Sequence, residues 1–431
     1  MASEWKAHVR LAIPLVTQQL GFQMMGLVDA AMLGHYNDTG LAAAGVGNNL
    51  LFAISSLGMG VVMGLDTVVP QALGAGRTAD ARRLFGAGLR LALMVGLVST
   101  LVVVGSPWIL HVAGVDPAVA ADAKVYTIAR SFGVVPFLIM TAQRSYLAAH
   151  DVTRPLVIAV IAGNLANAAL DVVLIFGAGP IPAMGVLGAA TATVGVQLVT
   201  TAIYFAGVRA VDGPTPRPTS TRADLAEIVR YGGPVAGHLF AEIGVFGVAT
   251  VAAAHLGVLP AGAHTIALNV ASFTFSIAVG IGAATSVRVG HAVGAGDRAA
   301  ARARGLLGLK LGLLVMGVGA IVFVSLPRQL AGLFTDQPAV VAAAVPLFQI
   351  AALFQLSDGT QAIGAGALRG VGDTRATFIG NLIGHYAVGL PISLVLAFGL
   401  GLGAPGLWWG LSAGLTATAV FLVLRFRSQT A

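Results

Sequence analysis

The sequence predicts an all-α polytopic membrane protein, with twelve transmembrane helices in two six-helix lobes related by a pseudo-twofold axis. Three observations predict it. Of the 431 residues, 57% are hydrophobic and only 10% are charged, against about a quarter charged in soluble domains. Apolar stretches of about 20 residues, enough to cross roughly 30 Å of hydrocarbon, recur along the whole chain. The second half of the chain also repeats the first.

The expected spans are 8–33, 43–69, 84–106, 124–147, 155–178, 185–208, 227–254, 263–288, 304–326, 340–366, 375–399 and 405–425. With the N-terminus inside, Arg77, Arg82, Arg83, Arg154, Arg209, Arg217, Arg222, Arg298, Arg302, Arg304, Arg369, Arg375, Arg425 and Arg427 fall on one side. The opposite loops hold only Lys124 and Arg328. This bias is the positive-inside signal, and it places both termini in the cytoplasm of a plasma (inner) membrane protein. The net charge of +7 is therefore a topology signal, and nucleic acid is not expected as a partner. The opening MASEWKAHVRLAIP carries an acid and a Trp and lacks a small-residue cleavage site, so it reads as a lead into the first span.

The repeat is close. VRLAIP (9–14) matches VRYGGP (229–234), and His35, Asn49, Ser56 and Gly60 match His255, Asn269, Ser276 and Gly280. The GAG at 74–76 recurs at 294–296, and DVTRP (151–155) pairs with GDTRA (372–376). An even number of spans per copy gives the two halves the same orientation, which implies an axis along the membrane normal and a substrate cavity near the midplane. The expected organisation is an N-lobe at 1–208, a cytoplasmic linker at 209–226 and a C-lobe at 227–431. The linker region holds a Pro- and Thr-rich stretch, AVDGPTPRPTSTRADL (210–225).

Four acids lie inside expected spans: Asp29, Asp171, Glu242 and Asp358. At about 1.5 Å of rise per residue, Asp29 stands roughly 28 Å from Arg10, Asp171 about 26 Å from Arg154, and Thr193 about 24 Å from Arg209. Asn167 lies one turn from Asp171 on the same face. The first half can thus gather two carboxylates, an amide and a hydroxyl at one level. In the second half Glu242 is about 18 Å from Arg230 and Asp358 about 16 Å from Arg369, again a shared level. Two carboxylates at one depth cannot both stay ionised in a low dielectric, so one holds a proton or a cation sits between them. All-oxygen ligands suit hard cations such as Na⁺ at Asp29, Asn167, Asp171 and Thr193, or at Glu242 and Asp358. The competing reading is a hydrogen-bonded acid that only joins helices, and a matched pair in each half argues against it.

Other features read more plainly. Met24, Met25, Phe22 and Phe240 fit packing better than drug contact, and His35 and His255 fit helix-end capping. GLSAG (410–414) resembles a hydrolase elbow but sits inside an apolar span with no acid or histidine after it. The GAG loops lack the Gly-Lys-Ser/Thr of a phosphate loop. There is no cysteine, which excludes disulfides and thiolate metal sites. Gly60/Gly64 and Gly366/Gly370 form small-residue packing faces. Pro14, Pro234 and Pro391 are expected to kink or break their helices.

PLVTQQLGFQMMGLVDAAMLGH in span one, GNLANAALDVVLIFG (163–177) in span five, QAIGAGALRGVGDTR (361–375) after span ten and the GAG loops together resemble the multidrug and toxic compound extrusion (MATE) family. The resemblance covers nearly the whole chain. It implies a secondary antiporter that expels organic cations and amphipathic drugs against inward H⁺ or Na⁺, with no cofactor. Residue by residue it places coupling at Asp29, Asn167, Asp171 and Thr193, similar to both the NorM-like and DinF-like branches. Glu242 and Asp358 resemble the second-lobe acids of the NorM-like branch. Gln18, Phe22, Met25 and Phe240 are candidate cavity residues. The expected partners are small amphipathic or cationic drugs and membrane lipids, with the protein a monomer. The alternatives are an exporter of lipid-linked precursors from the wider flippase superfamily and a passive channel. No catalytic constellation favours an enzyme.

Overall fold

A computed structural model describes residues 2–112 and 114–431 of the chain. The first half runs α1 (Ala2–Tyr36), α2 (Asp38–Val62), α3 (Leu65–Gly74), α4 (Thr78–Gly105), α5 (Trp108–Val112), α6 (Pro117–Ser131), α7 (Val134–Ala149), α8 (Arg154–Phe176) and α9 (Val186–Asp212). The second runs α10 (Arg222–His255), α11 (Val258–Gly294), α12 (Arg298–Ser325), α13 (Pro327–Gly332), α14 (Pro338–Val371), α15 (Thr374–Leu382), α16 (Leu390–Leu394) and α17 (Gly403–Gln429). Among the described residues no strand forms, as a lipid-embedded chain must satisfy its backbone within helices or a closed barrel.

Among the described residues eleven helical stretches are long and apolar enough to cross a membrane, and α6 with α7, bent by 46° at Phe132–Gly133, supplies a twelfth span. The chain is a multi-pass membrane protein. The helix stays continuous through Pro14 and Pro234, so neither breaks it. A proline costs one ladder bond, and a membrane helix tolerates that where neighbours re-satisfy the freed carbonyl. Around Pro391 the regular α pattern does give way, with π-helical turns at Ile383–Gly389 and Val395–Gly399.

The duplication is visible in local geometry. α3 ends at Gly74 and α11 at Gly294. Gly76 and Gly296 then take the left-handed conformation at φ 73° and 76°, a region that favours glycine. The turns close with Arg77 N–H donating to Ala72 O and Asp297 N–H to Ala292 O, both at 2.9 Å. His35 and His255 each place Nδ1 against the carbonyl four residues earlier, at 2.8 and 2.9 Å. One difference separates the copies. The helix breaks at Met63–Gly64 in the first, whereas α11 runs unbroken.

Two compact units emerge, Thr17–Ala236 and Gly237–Ala431 together with the chain up to Val16. Their edges fall inside α1 and α10, at repeat-related positions. In the first unit α10 begins against α2, where a Cβ on Gly60 would come within 2.3 Å of Ala236 Cα. In the second unit α1 begins against α11, where a Cβ on Gly280 would come within 2.6 Å of Val16 Cα. Glycine is needed at both because the neighbouring backbone fills the space of a side chain.

Within the first unit the polar connection between α9 and α10 is held down. Asp212 accepts from Tyr146 Oη and Arg217 Nε, both at 2.7 Å, and pairs with Arg82 at 3.4 Å. Asp224 accepts from Arg83 Nε at 3.0 Å and from Thr221 N at 2.7 Å. The second unit has a core of Phe323, Leu347, Phe348, Phe354, Trp408 and Leu415, among others.

Candidate functional site

In the first unit α1, α8 and α9 bring Asp29, Asn167, Asp171 and Thr193 into one cluster. All four are buried, Asp171 completely. Asn167 Nδ2 donates to Asp29 Oδ1 at 2.9 Å and to Asp171 Oδ2 at 2.6 Å. Thr193 Oγ1 is 2.9 Å from Asp29 Oδ2 and 3.0 Å from Ala189 O, so its one proton is shared between two acceptors.

The cluster is short of protons. Two ionised carboxylates and an amide carbonyl present five acceptor oxygens, while the amide nitrogen and the hydroxyl bring three protons. Asp171 Oδ1 and Asn167 Oδ1 are buried with no hydrogen-bond partner among the described residues. Buried acceptors left unpaired are costly, so such a deficit marks a place for a proton or a cation. The local reason for the grouping is periodicity: Asn167 and Asp171 are one turn apart on α8, facing the α1 turn that carries Asp29.

Tyr126 joins this picture from α6. It is buried, lies within electrostatic reach of Asp29 and Asp171, and is in hydrogen-bond reach of Arg130 one turn on. Arg130 is itself buried, with Nε unpartnered. Sequence reasoning placed Arg130 near one end of the fourth span but missed Tyr126 beside it. The Tyr126–Arg130 spacing of one turn was its available signal.

In the second unit α10 and α14 place Glu242 and Asp358 within electrostatic reach of each other, both buried. Gln361 hydrogen-bonds Glu242, and His238 Nε2 stands 3.4 Å from Glu242 Oε2. His385, in the π-helical stretch, is within reach of His238. Glu242 Oε1, Asp358 Oδ1, Gln361 Oε1, His238 Nδ1 and both His385 ring nitrogens are buried without partners. His238 precedes Glu242 by one turn and Gln361 follows Asp358 by one, so periodicity could have found both. Among the described residues, no group of three or more His, Asp or Glu is arranged to hold a metal ion.

The candidate cavity residues separate. Gln18 and Met25 are buried, Gln18 donating to Tyr204 Oη at 2.9 Å within the first unit. Phe22 is half-buried, and Phe240 is 53% exposed.

A twelve-span chain with buried, proton-deficient carboxylate pairs has the architecture of an ion-coupled secondary transporter. The MatE family model matches residues 14–173 and 234–395, once in each half. Multidrug resistance protein NorM of Burkholderia vietnamiensis is 35% identical, over 98% of this chain and 93% of that one. A probable multidrug resistance protein NorM of Deinococcus radiodurans is 35% identical, over 99% and 96%. The crystal structure of the eukaryotic MATE transporter AtDTX14 superposes with a TM-score of 0.89 at 23% identity, covering 100% of this chain and 98% of that one. A MOP-superfamily transporter from Pyrococcus furiosus superposes at 0.91 and 19%, covering 99% and 96%. The chain belongs to the multidrug and toxic compound extrusion family.

Proposed function

We propose that this protein is a multidrug efflux antiporter of the plasma membrane, exporting organic cations or amphipathic drugs in exchange for inward H⁺ or Na⁺. It acts as a monomer and without a cofactor. The observation that carries the reading is Asn167, whose single amide nitrogen serves both Asp29 and Asp171 while Asn167 Oδ1 and Asp171 Oδ1 stay unpaired. The full-length similarity to NorM proteins supports drugs as the cargo. No observation favours a lipid-precursor exporter or a channel.

In this mechanism the ion enters the Asp29 site from outside. A proton there supplies the missing donor and removes one charge. A Na⁺ ion carried as cargo takes the oxygens of Asp29, Asn167, Asp171 and Thr193 instead. Either event removes the repulsion between the two carboxylates and changes which packing of α1, α8 and α9 is most stable. Coupling follows only if the outward- and inward-open states bind the ion with different affinity, since equal affinity shifts nothing. Glu242 and Asp358 provide a second acidic site of the same logic.

The test is efflux of a fluorescent cation such as ethidium from everted vesicles, energised separately by a pH gradient and by a Na⁺ gradient. Uphill movement that stops when the driving gradient is collapsed supports antiport. Movement only down the dye's own gradient overturns it.

A further inference from the structure

Three turns inward from Asp29 on α1 stands Gln18, and three turns inward from Thr193 on antiparallel α9 stands Tyr204. Each interval is 11 residues, about 16 Å, and brings the later residue back to within about 20° of the same helix face. The two helices therefore meet twice along one line. At the upper meeting Thr193 touches Asp29, at 2.9 Å, and at the lower one Gln18 donates to Tyr204, at 2.9 Å. Both lower residues are fully buried, and Gln18 Oε1 has no partner. Nothing in the acidic cluster accounts for this second polar station.

Below it the line continues to charged groups. The Arg144 guanidinium lies within electrostatic reach of Tyr204 and pairs with Asp66, Nη2 lying 3.0 and 3.2 Å from its two carboxylate oxygens. Between the stations side chains of α1 and α9 meet at α8. At Gly163 of α8, a Cβ would meet Val196 Cγ1 at 3.2 Å, Thr200 Oγ1 at 3.6 Å and Met25 Cε at 3.8 Å. Met25, one turn inward of Asp29, is the large apolar side chain from α1 at that point. Thr200 is a buried hydroxyl one turn outward of Tyr204.

We infer that the first unit contains its own inward release path for the coupling ion. It runs from Asp29 past a Met25 plug to Thr200 and the Gln18–Tyr204 station, and ends at the Arg144–Asp66 pair. This rests on the antiport reading above. The oxygens of Thr200, Tyr204 and Gln18 serve a hopping proton or a partly dehydrated Na⁺ alike. Met25 is a flexible, unbranched side chain. Its movement aside opens the path, and its return stops ion leak when no drug is carried.

The experiment uses the full chain in proteoliposomes, reading ion flux with a lumenal pH or Na⁺ dye and drug efflux with ethidium. Met25→Ser is expected to raise drug-independent ion flux at least fivefold, with Met25→Leu close to wild type. Thr200→Val with Tyr204→Phe is expected to slow coupled efflux at least tenfold while leaving equilibrium ethidium binding unchanged. A tight Met25→Ser variant together with a full-speed double variant overturns the path. Failure of the antiport reading itself is distinguishable, because Asp29→Asn would then also pump at the wild-type rate.

Discussion

Asn167 Nδ2 stands between two carboxylates, 2.9 Å from Asp29 and 2.6 Å from Asp171. A neutral amide in that place bridges the acids without neutralising either. Asn167→Leu keeps the approximate volume and removes both donors. It is expected to lower gradient-driven ethidium efflux at least tenfold, with amounts in the membrane near wild type. Vesicles pumping at the wild-type rate would show that the amide has no part in coupling.

Asp29→Asn retains size and hydrogen bonding but removes the exchangeable charge. Such a variant should fold, reach the membrane and bind drug, yet fail to drive uphill efflux under either gradient. Equilibrium binding of a labelled drug beside vesicle transport checks both halves of this statement. Unimpaired transport would reduce Asp29 to a contact between helices.

Glu242→Gln tests the second acidic site. Its partners are Asp358, Gln361 and His238, none shared with the Asp29 cluster, so its effect should be separable. Transport is expected to fall while the Asp29 cluster still binds its ion. A partly active pair such as Glu242→Gln and Thr193→Val should combine additively in log rate within about 0.5 kcal/mol. Strong non-additivity would mean that one ion visits both sites.

Gly280 touches backbone. A Cβ there would lie 2.6 Å from Val16 Cα, so Gly280→Ala must push α1 away from α11 at an overpacking cost of about 1–3 kcal/mol. It is expected to melt at lower temperature in detergent. Gly317→Ala, where a Cβ meets nothing within 4 Å, is the control and should be neutral or slightly stabilising. Equal melting of the two variants would contradict the close approach.

Both termini should face the cytoplasm, because the arginine-rich loops share one side of a twelve-span chain. A reporter fused after Ala431 that is active only outside would overturn that orientation.

Much of this molecule is legible in one dimension. Hydropathy marks the spans, because crossing hydrocarbon is a local requirement on about 20 consecutive residues. The duplication shows the paired turns at Gly76 and Gly296, because an offset of 220 needs no structure to be seen. Rise per residue brings Asp29, Asp171 and Thr193 to one depth, since depth depends only on distance along each helix. Rotation about the helix axis and choice of neighbour are not local, and there the tertiary structure decided. The placement of α6 brings Tyr126 within electrostatic reach of Asp29 and Asp171, and the packing of α10 against α14 sets Gln361 and His238 against Glu242. The edges of the two units fall inside α1 and α10, because small residues such as Gly60 and Gly280 let the start of each helix pack apart from the rest of it. The sequence alone determined which chemistry lies at which depth. Only packing decided which side chains meet, because contact between helices depends on azimuth and separation, and no run of consecutive residues encodes either.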